Sequence, residues 1–292
     1  MARLVSRRTV LRGGLGLGAA ALGAGTGMIA DVLPGGPALR RVLGLTGPDG
    51  EIPDVPAGPV RVDRVRSRAR GRDVELVTMA PAGEPAADAV CLALHGRGEG
   101  ARWFIDLGVP WFLTAAARAG VPPFTVVALD CGQDYLLARD GDDPRRMIAE
   151  ELPSWLAERG LRAPTAALGI SMGGFAALGL APGLLAVAVA SPALFPTWPD
   201  AKGRNVFRDE REWAAAEPLR NLGRLDGVPL GVWCGTEDPF VGPVAQLVDA
   251  ARPTVAAIDN GAHEAGYWLR VLPDMLAFVG ERCRGGNESP SR

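Results

Sequence analysis

The sequence predicts an α/β fold in which a mostly parallel sheet is covered by helices on both faces. From residue 89 onward, short apolar runs alternate with segments of helical spacing. The runs contain almost no polar residues, which is typical of strands buried on both faces. Before them, residues 60–68 and 73–79 alternate with a period of two and predict an antiparallel hairpin.

The later elements are justified by periodicity and by their boundary residues. Apolar residues spaced at three to four positions predict helices, and Asp143-Pro144 is a natural helix start. The predicted strands are residues 89–94, 125–129, 165–170, 186–190, 230–234 and 255–258. The predicted helices are residues 109–119, 144–159 and 173–180, with further helices between and after the last strands.

Composition excludes several classes of function. The chain has 292 residues, enough for one large domain or two small ones. Its net charge of −2 argues against a nucleic-acid partner. The only lysine, Lys202, is not preceded by a phosphate-binding loop. The two histidines and four cysteines form neither C-x-x-C nor H-E-x-x-H, so we expect neither a metal nor a cofactor.

The N-terminus carries an export signature. Arg7 and Arg8 precede an apolar run at residues 13–30 that is rich in glycine, alanine and leucine. This arrangement resembles a twin-arginine (Tat) signal, read by the export machinery rather than built into the fold. The alternative is a single membrane-spanning helix, for which the many glycines are poorly suited. We expect the protein to be secreted, or associated with the cell envelope if the signal is not cleaved.

The rest of the chain divides by composition. Residues 31–58 are rich in proline and glycine and predict a linker or a surface arm. The excursion between residues 191 and 228 carries four aromatic residues and predicts either a short cap over a substrate pocket or a surface insertion. The predicted segments are a signal at 1–30, the arm at 31–58, one folded domain at 59–282 and a disordered tail at 283–292.

A G-I-S-M-G-G motif at residues 169–174 follows a predicted strand and opens a predicted helix. Such a turn presents a serine hydroxyl, and the helix N-terminus offers N–H groups where negative charge develops. Ser171 is therefore the candidate nucleophile. The alternative is a plain glycine-rich helix start.

A serine nucleophile needs a basic histidine, and the chain has two. His263 lies in a loop after the last strand, whereas His95 precedes the serine and ends a strand. Where serine, acid and histidine follow in that order along the chain, His263 is the base. The alternative for His263 is an ordinary surface-loop histidine.

The acid that orients the base should follow the strand between Ser171 and His263. That strand is residues 230–234, and its loop contains Glu237 and Asp238. We choose Asp238, with Glu237 as the alternative.

An oxyanion hole needs two N–H donors near the nucleophile. The amide of Met172, directly after Ser171, supplies the first. The loop after His95 supplies the second, from Arg97 or, as a second choice, Gly98.

Together these motifs resemble the α/β-hydrolase superfamily. The L-H-G at residues 94–96, the elbow, the G-x-x-D-P at residues 235–239 and the late His263 carry the resemblance over roughly residues 60–280. The S-M-G-G form and the D-D-P at residues 142–144 are similar to the esterase D and antigen 85 mycolyltransferase branch, especially its exported actinobacterial esterases. The resemblance implies an α/β-hydrolase fold and a serine nucleophile.

The sequence thus predicts an exported serine hydrolase that cleaves a small-molecule or lipid carboxylic ester through an acyl enzyme. One alternative is acyl transfer to an envelope sugar or lipid, as in mycolyltransferases. Another is an envelope-binding protein that has the fold without the activity. Acyl length and oligomeric state stay open. Cys91 and Cys234 lie in apolar runs and are expected to be buried thiols.

Overall fold

The computed structural model describes residues 44, 46–84 and 89–283. The chain divides into two units, Met1–Pro48 and Asp49–Arg292. The predicted signal at residues 1–30, most of the predicted arm before residue 46 and the tail beyond Cys283 lie outside the described residues. Within the described ranges, no helix is both long enough and apolar enough to cross a membrane.

The second unit is built on an eight-stranded sheet in the order β1-β2-β4-β3-β5-β6-β7-β8. The hairpin β1–β2 is antiparallel, β2 pairs antiparallel with β4, and every later pairing is parallel. The predicted hairpin and parallel sheet are confirmed. The strands are β1 Val60–Ser67, β2 Arg72–Met79, β3 Val90–Leu94, β4 Thr125–Leu129, β5 Ala166–Ile170, β6 Ala186–Ala190, β7 Leu230–Gly235 and β8 Val255–Asp259.

Helices lie on both faces of this sheet. Side chains of β3 alternate between two cores: Leu92 packs with Phe175 on one face, and Ala93 packs with Phe112 on the other. The helices are α1 Trp103–Asp106, α2 Val109–Arg118, α3 Pro144–Arg146, α4 Leu152–Ala157, α5 Met172–Gly179, α6 Trp198–Lys202, α7 Glu210–Ala216, α8 Val241–Ala251 and α9 Ala265–Cys283.

The single helix predicted at residues 144–159 is interrupted. A π-helical turn, Met147–Glu151, separates α3 from α4. Pro153, in the first turn of α4, has no N–H to donate to the carbonyl four residues earlier, so the regular ladder cannot pass through it. Glu151, at the end of the turn, accepts hydrogen bonds from the Ser67 hydroxyl and the Ala69 amide, which anchors the β1–β2 turn.

The excursion between β6 and β7 forms α6, α7 and two 3₁₀ turns, Pro218–Arg220 and Leu222–Leu225. We call it the β6–β7 insertion. Its Phe195 and Phe207 are buried against Phe175 of α5. The insertion therefore covers the helix that begins immediately after Ser171.

Candidate active site

The turn from β5 into α5 holds Ser171 in a strained conformation. Its φ of +56° lies in the region that favours glycine, at a cost of about 1–3 kcal/mol. Glycines make the turn possible, because a Cβ at Gly169 would overlap the Gly173 carbonyl and one at Gly173 would overlap the Leu94 carbonyl. The side chain of Ser171 therefore stands at the carboxyl edge of the sheet.

Ser171, His263 and Asp238 form one hydrogen-bonded chain. Nε2 of His263 lies 2.9 Å from Oγ of Ser171, and Nδ1 lies 2.8 Å from Oδ2 of Asp238. The side chain of Asp238 is fully buried, and its Oδ1 accepts a hydrogen bond of 2.8 Å from the Phe240 amide. Because an ionised carboxylate only accepts, Nδ1 carries the histidine proton and Nε2 accepts from the serine hydroxyl.

The loop after β7 determines which acidic residue meets the histidine. Of the adjacent Glu237 and Asp238, the structure places the Asp238 carboxylate on His263. The backbone amide of Glu237 donates to the Gly261 carbonyl at 2.8 Å, which ties this loop to the one that carries His263. The two loops are therefore held in register with each other.

Two aromatic rings hold the imidazole of His263. The Phe240 ring centroid is 5.4 Å away, and the Trp268 ring meets it edge-on at 5.1 Å. Trp268 is itself held, since its indole N–H donates to Oγ of Ser191 at 3.2 Å. These contacts limit rotation of the imidazole away from Ser171.

The loop after β3 lies against the serine. A Cβ at Gly96 would be 3.8 Å from the Cβ of Ser171, and Arg97 is the next residue. Within the described chain, the amides of Arg97 and Met172 donate no hydrogen bond to the protein, whereas the Gly98 amide donates to the Gln133 side chain. Arg97 and Met172 are thus the amides available to a developing oxyanion.

His95 is not next to the serine hydroxyl but is buried beneath the loop after β3, the candidate oxyanion loop. Its Nδ1 is 2.8 Å from the Gly96 carbonyl, and its Nε2 accepts a hydrogen bond of 3.2 Å from the Cys131 amide. Burial lowers the pKa of His95, which favours the neutral ring that this pattern requires. The ring therefore braces the ends of β3 and β4.

A cluster of aromatic side chains forms the floor beside Ser171. The Tyr135 ring packs edge-on against Phe175 at 5.1 Å and lies 5.8 Å from Phe195 and 6.0 Å from Phe207. Phe195 continues to Phe240 at 5.9 Å, which joins this floor to the ring beside His263. The floor combines α5, the loop after β4 and the β6–β7 insertion.

Sequence reasoning missed three residues that surround the imidazole and this floor. Phe240 lies two positions after Asp238 and Trp268 five positions after His263, so nearness to the candidate triad was an available signal. Arg204 stacks on Phe240 at 5.3 Å, and no local pattern indicates that contact.

The other reactive groups do not form a competing centre. All four cysteines are free thiols, and burial raises the pKa of Cys131 to about 12. Cys91 and Cys234 are buried, as the sequence predicts. In the described part of the chain, no group of three or more histidine, cysteine or carboxylate side chains is placed to hold a metal ion.

The chain matches a known protein family. The family model described as "Putative esterase" matches residues 86–278, more than half of the chain. This chain is a member of that esterase family. A comparison with curated proteins found no match.

Solved structures with the same fold include several esterases. A ferulic acid esterase has a TM-score of 0.63 and 19% identity, over 77% of this chain and 98% of its own. An S-formylglutathione hydrolase from Agrobacterium tumefaciens has a TM-score of 0.62 and 17% identity, over 79% and 98%. A fluorophosphonate-binding serine hydrolase from Staphylococcus aureus has a TM-score of 0.58 and 12% identity, over 77% and 99%. These similarities show the α/β-hydrolase fold, and with the family they identify a serine carboxylic ester hydrolase.

Proposed function

We propose that this esterase is exported and cleaves a carboxylic ester through an acyl enzyme on Ser171, with His263 as base and Asp238 as the acid that orients it. The observation that carries the proposal is the continuous hydrogen-bonded chain of 2.9 Å and 2.8 Å that ends on a strained serine. Side chains from three separate loops meet in the geometry that a serine–histidine–aspartate triad requires.

In the first half of the reaction, Nε2 of His263 removes the proton of the Ser171 hydroxyl as Oγ attacks the ester carbonyl. The carbonyl electron pair moves to oxygen, and the amides of Met172 and Arg97 donate to that oxyanion. The tetrahedral intermediate then collapses, and the leaving alcohol takes the proton from His263. Asp238 stabilises the imidazolium and keeps the ring in the required tautomer.

In the second half, water replaces the alcohol. His263 takes a proton from the water as the water oxygen attacks the acyl carbonyl. The amides of Met172 and Arg97 donate to the second oxyanion. Collapse breaks the bond to Oγ of Ser171, which recovers its proton from His263. The products are a carboxylic acid and the unchanged enzyme.

Export rests on the sequence alone. Arg7 and Arg8 before an apolar run support a twin-arginine signal, which serves proteins that fold before export. A secreted or envelope-associated esterase would meet its small-molecule or lipid esters outside the cytoplasm.

The deciding experiment is labelling of the folded protein with a fluorophosphonate probe, which reacts with an activated serine. We expect labelling of the wild type and of Ser154→Ala, an exposed serine on α4 far from the site in sequence, and none of Ser171→Ala. Equal labelling of Ser171→Ala and wild type would remove Ser171 from the mechanism. A folded wild-type protein that takes no label and cleaves no ester would instead support the binding-protein alternative.

A further inference from the structure

Two exposed arginines belong to segments that border the candidate active site. Arg97 lies in the loop after β3, and Arg204 follows α6. Arg204 lies over Phe195, whose ring is 5.8 Å from that of Tyr135, and Arg97 follows Gly96, which lies against Ser171. In the described part of the chain, neither guanidinium has a carboxylate oxygen within 4.0 Å.

The position of Arg204 is set by two aromatic rings. Its guanidinium carbon lies 5.5 Å from the centroid of Phe195 and 5.3 Å from that of Phe240. Phe240 in turn contacts the ring of His263. A guanidinium stacked on rings keeps its in-plane N–H donors unused, and their spacing matches the two oxygens of a carboxylate.

Tyr135 adds a third donor near Arg204, because its ring lies 5.8 Å from that of Phe195. Its ring is buried, and its hydroxyl makes no hydrogen bond with the described residues. Burial raises the pKa of Tyr135, so the hydroxyl keeps its proton at neutral pH and remains a donor.

The nearby negative charge does not cancel this group. Glu217 is buried, and its two carboxylate oxygens accept hydrogen bonds from the amides of Phe195 and Leu219. Burial also raises the pKa of Glu217 to about 7, so near neutral pH it carries only part of a negative charge. The guanidinium groups of Arg97 and Arg204 and the hydroxyl of Tyr135 therefore remain as donors without a carboxylate partner among the described residues.

We propose that Arg204, with Arg97 and Tyr135, selects esters that carry a carboxylate in addition to the ester group. The inference rests on the proposed function, because it concerns a substrate held at Ser171. The shared chemistry is a carboxylate within reach of the floor, on either the acyl or the alcohol side of the ester bond. A bidentate contact to Arg204 would place that carboxylate beside Phe240, next to the base.

The test compares esters that differ by one carboxylate. For the acyl side, we compare p-nitrophenyl hydrogen adipate with p-nitrophenyl hexanoate, which has the same chain length, after subtracting hydrolysis without enzyme. For the alcohol side, we compare m-carboxyphenyl hexanoate with phenyl hexanoate. We expect kcat/KM to favour the carboxylate in at least one pair by about tenfold. Added salt should lower that preference, because the guanidinium is exposed.

Variants assign the preference to particular residues. Arg204→Gln should reduce the preference about tenfold, and Arg204→Lys should restore part of it, since lysine keeps the charge but not the planar fork. The matched control is Arg220→Gln. Arg220 is also exposed and stacked in the β6–β7 insertion, but on Trp213 at 5.2 Å. That change should leave the preference as it is in the wild type.

The failures of the two proposals are distinguishable. Cleavage of the neutral esters with no preference for the carboxylate, and with no effect of Arg204→Gln on the ratio, overturns the selectivity and leaves the esterase proposal standing. The selectivity proposal is also overturned if Arg220→Gln loses as much of the preference as Arg204→Gln does. The preference would then depend on the charge of the β6–β7 insertion in general and not on Arg204. If no ester is cleaved and Ser171 takes no fluorophosphonate, the proposed function fails and the selectivity fails with it.

Discussion

Replacing either histidine of this chain by alanine should lower both activity and stability, but His263→Ala should mainly affect activity and His95→Ala mainly stability. His263→Ala removes the proposed base, and loss of a triad member lowers kcat by about 10⁴- to 10⁶-fold. His263 has 24% of its side chain exposed, and Asp238 keeps its bond from the Phe240 amide, so we expect a stability loss of only about 1–3 kcal/mol. The double variant with Ser171→Ala should be no less active than either single one.

His95→Ala should mainly reduce stability. The ring satisfies the Gly96 carbonyl and the Cys131 amide, both at buried residues. Each buried group left without a partner costs about 1–3 kcal/mol, so the free energy of unfolding should fall by about 2–6 kcal/mol. Activity should fall about 10- to 100-fold because the oxyanion loop loses its brace, which is less than the loss of a whole oxyanion donor.

The assay pairs kcat/KM on a soluble p-nitrophenyl ester with urea unfolding of each variant. His95→Gln is the matched rescue, since its amide offers one donor and one acceptor, and it should recover part of the stability. The assignment of the base would be refuted if His95→Ala had wild-type stability but no activity, while His263→Ala remained active.

Four further predictions follow from the structure and the sequence. Gly173→Ala should abolish activity and lower the yield of folded protein, because its Cβ would overlap the Leu94 carbonyl; both are measured on purified variant. Glu217→Gln should change the pH dependence of stability. Because burial raises the Glu217 pKa from 4.5 to about 7, the wild type gains stability relative to the variant below pH 4.5. It loses that gain as pH rises through about 7, a change of about 3 kcal/mol in urea unfolding. In a p-nitrophenyl series from acetate to palmitate, kcat/KM should favour short to medium chains. Each buried CH₂ contributes about 0.8 kcal/mol only against apolar surface, and the β6–β7 insertion exposes many charged side chains. Replacing both Arg7 and Arg8 by lysine should keep the protein in the cytoplasm, as shown by cell fractionation.

Each of these has a control or an opposing result. Gly100→Ala, where a Cβ would meet open space, should behave as wild type. A Glu217→Gln variant whose stability parallels the wild type from pH 4.5 to 8 would show that the buried carboxyl does not titrate in that range. A rate that rises steadily to the longest soluble ester would favour an envelope-lipid substrate. Unchanged export of the double lysine variant would indicate a general secretory signal or an anchor.

The sequence by itself determined the class of fold and the position of the candidate nucleophile. Strands buried on both faces appear as uninterrupted apolar runs, and hairpin strands alternate, so β1, β2 and β4 were predicted to within about a residue. Ser171 was recognisable because a strand-to-helix turn this tight requires glycine on both sides, a local demand written in adjacent residues. The proposal of export rests on the sequence alone, on residues before the described chain.

The tertiary structure decided which side chains meet. Glu237 and Asp238 are neighbours of the same charge, and only the paths of the loops after β7 and β8 place Asp238 on His263. Arg204 reaches the active site through contacts between segments far apart in the chain. Local periodicity records which face of an element is buried, but it carries no information about where separate loops converge at one edge of a sheet. That convergence depends on the packing of the whole domain, which is why the contact of Arg204 with Phe240 was visible only in the folded chain.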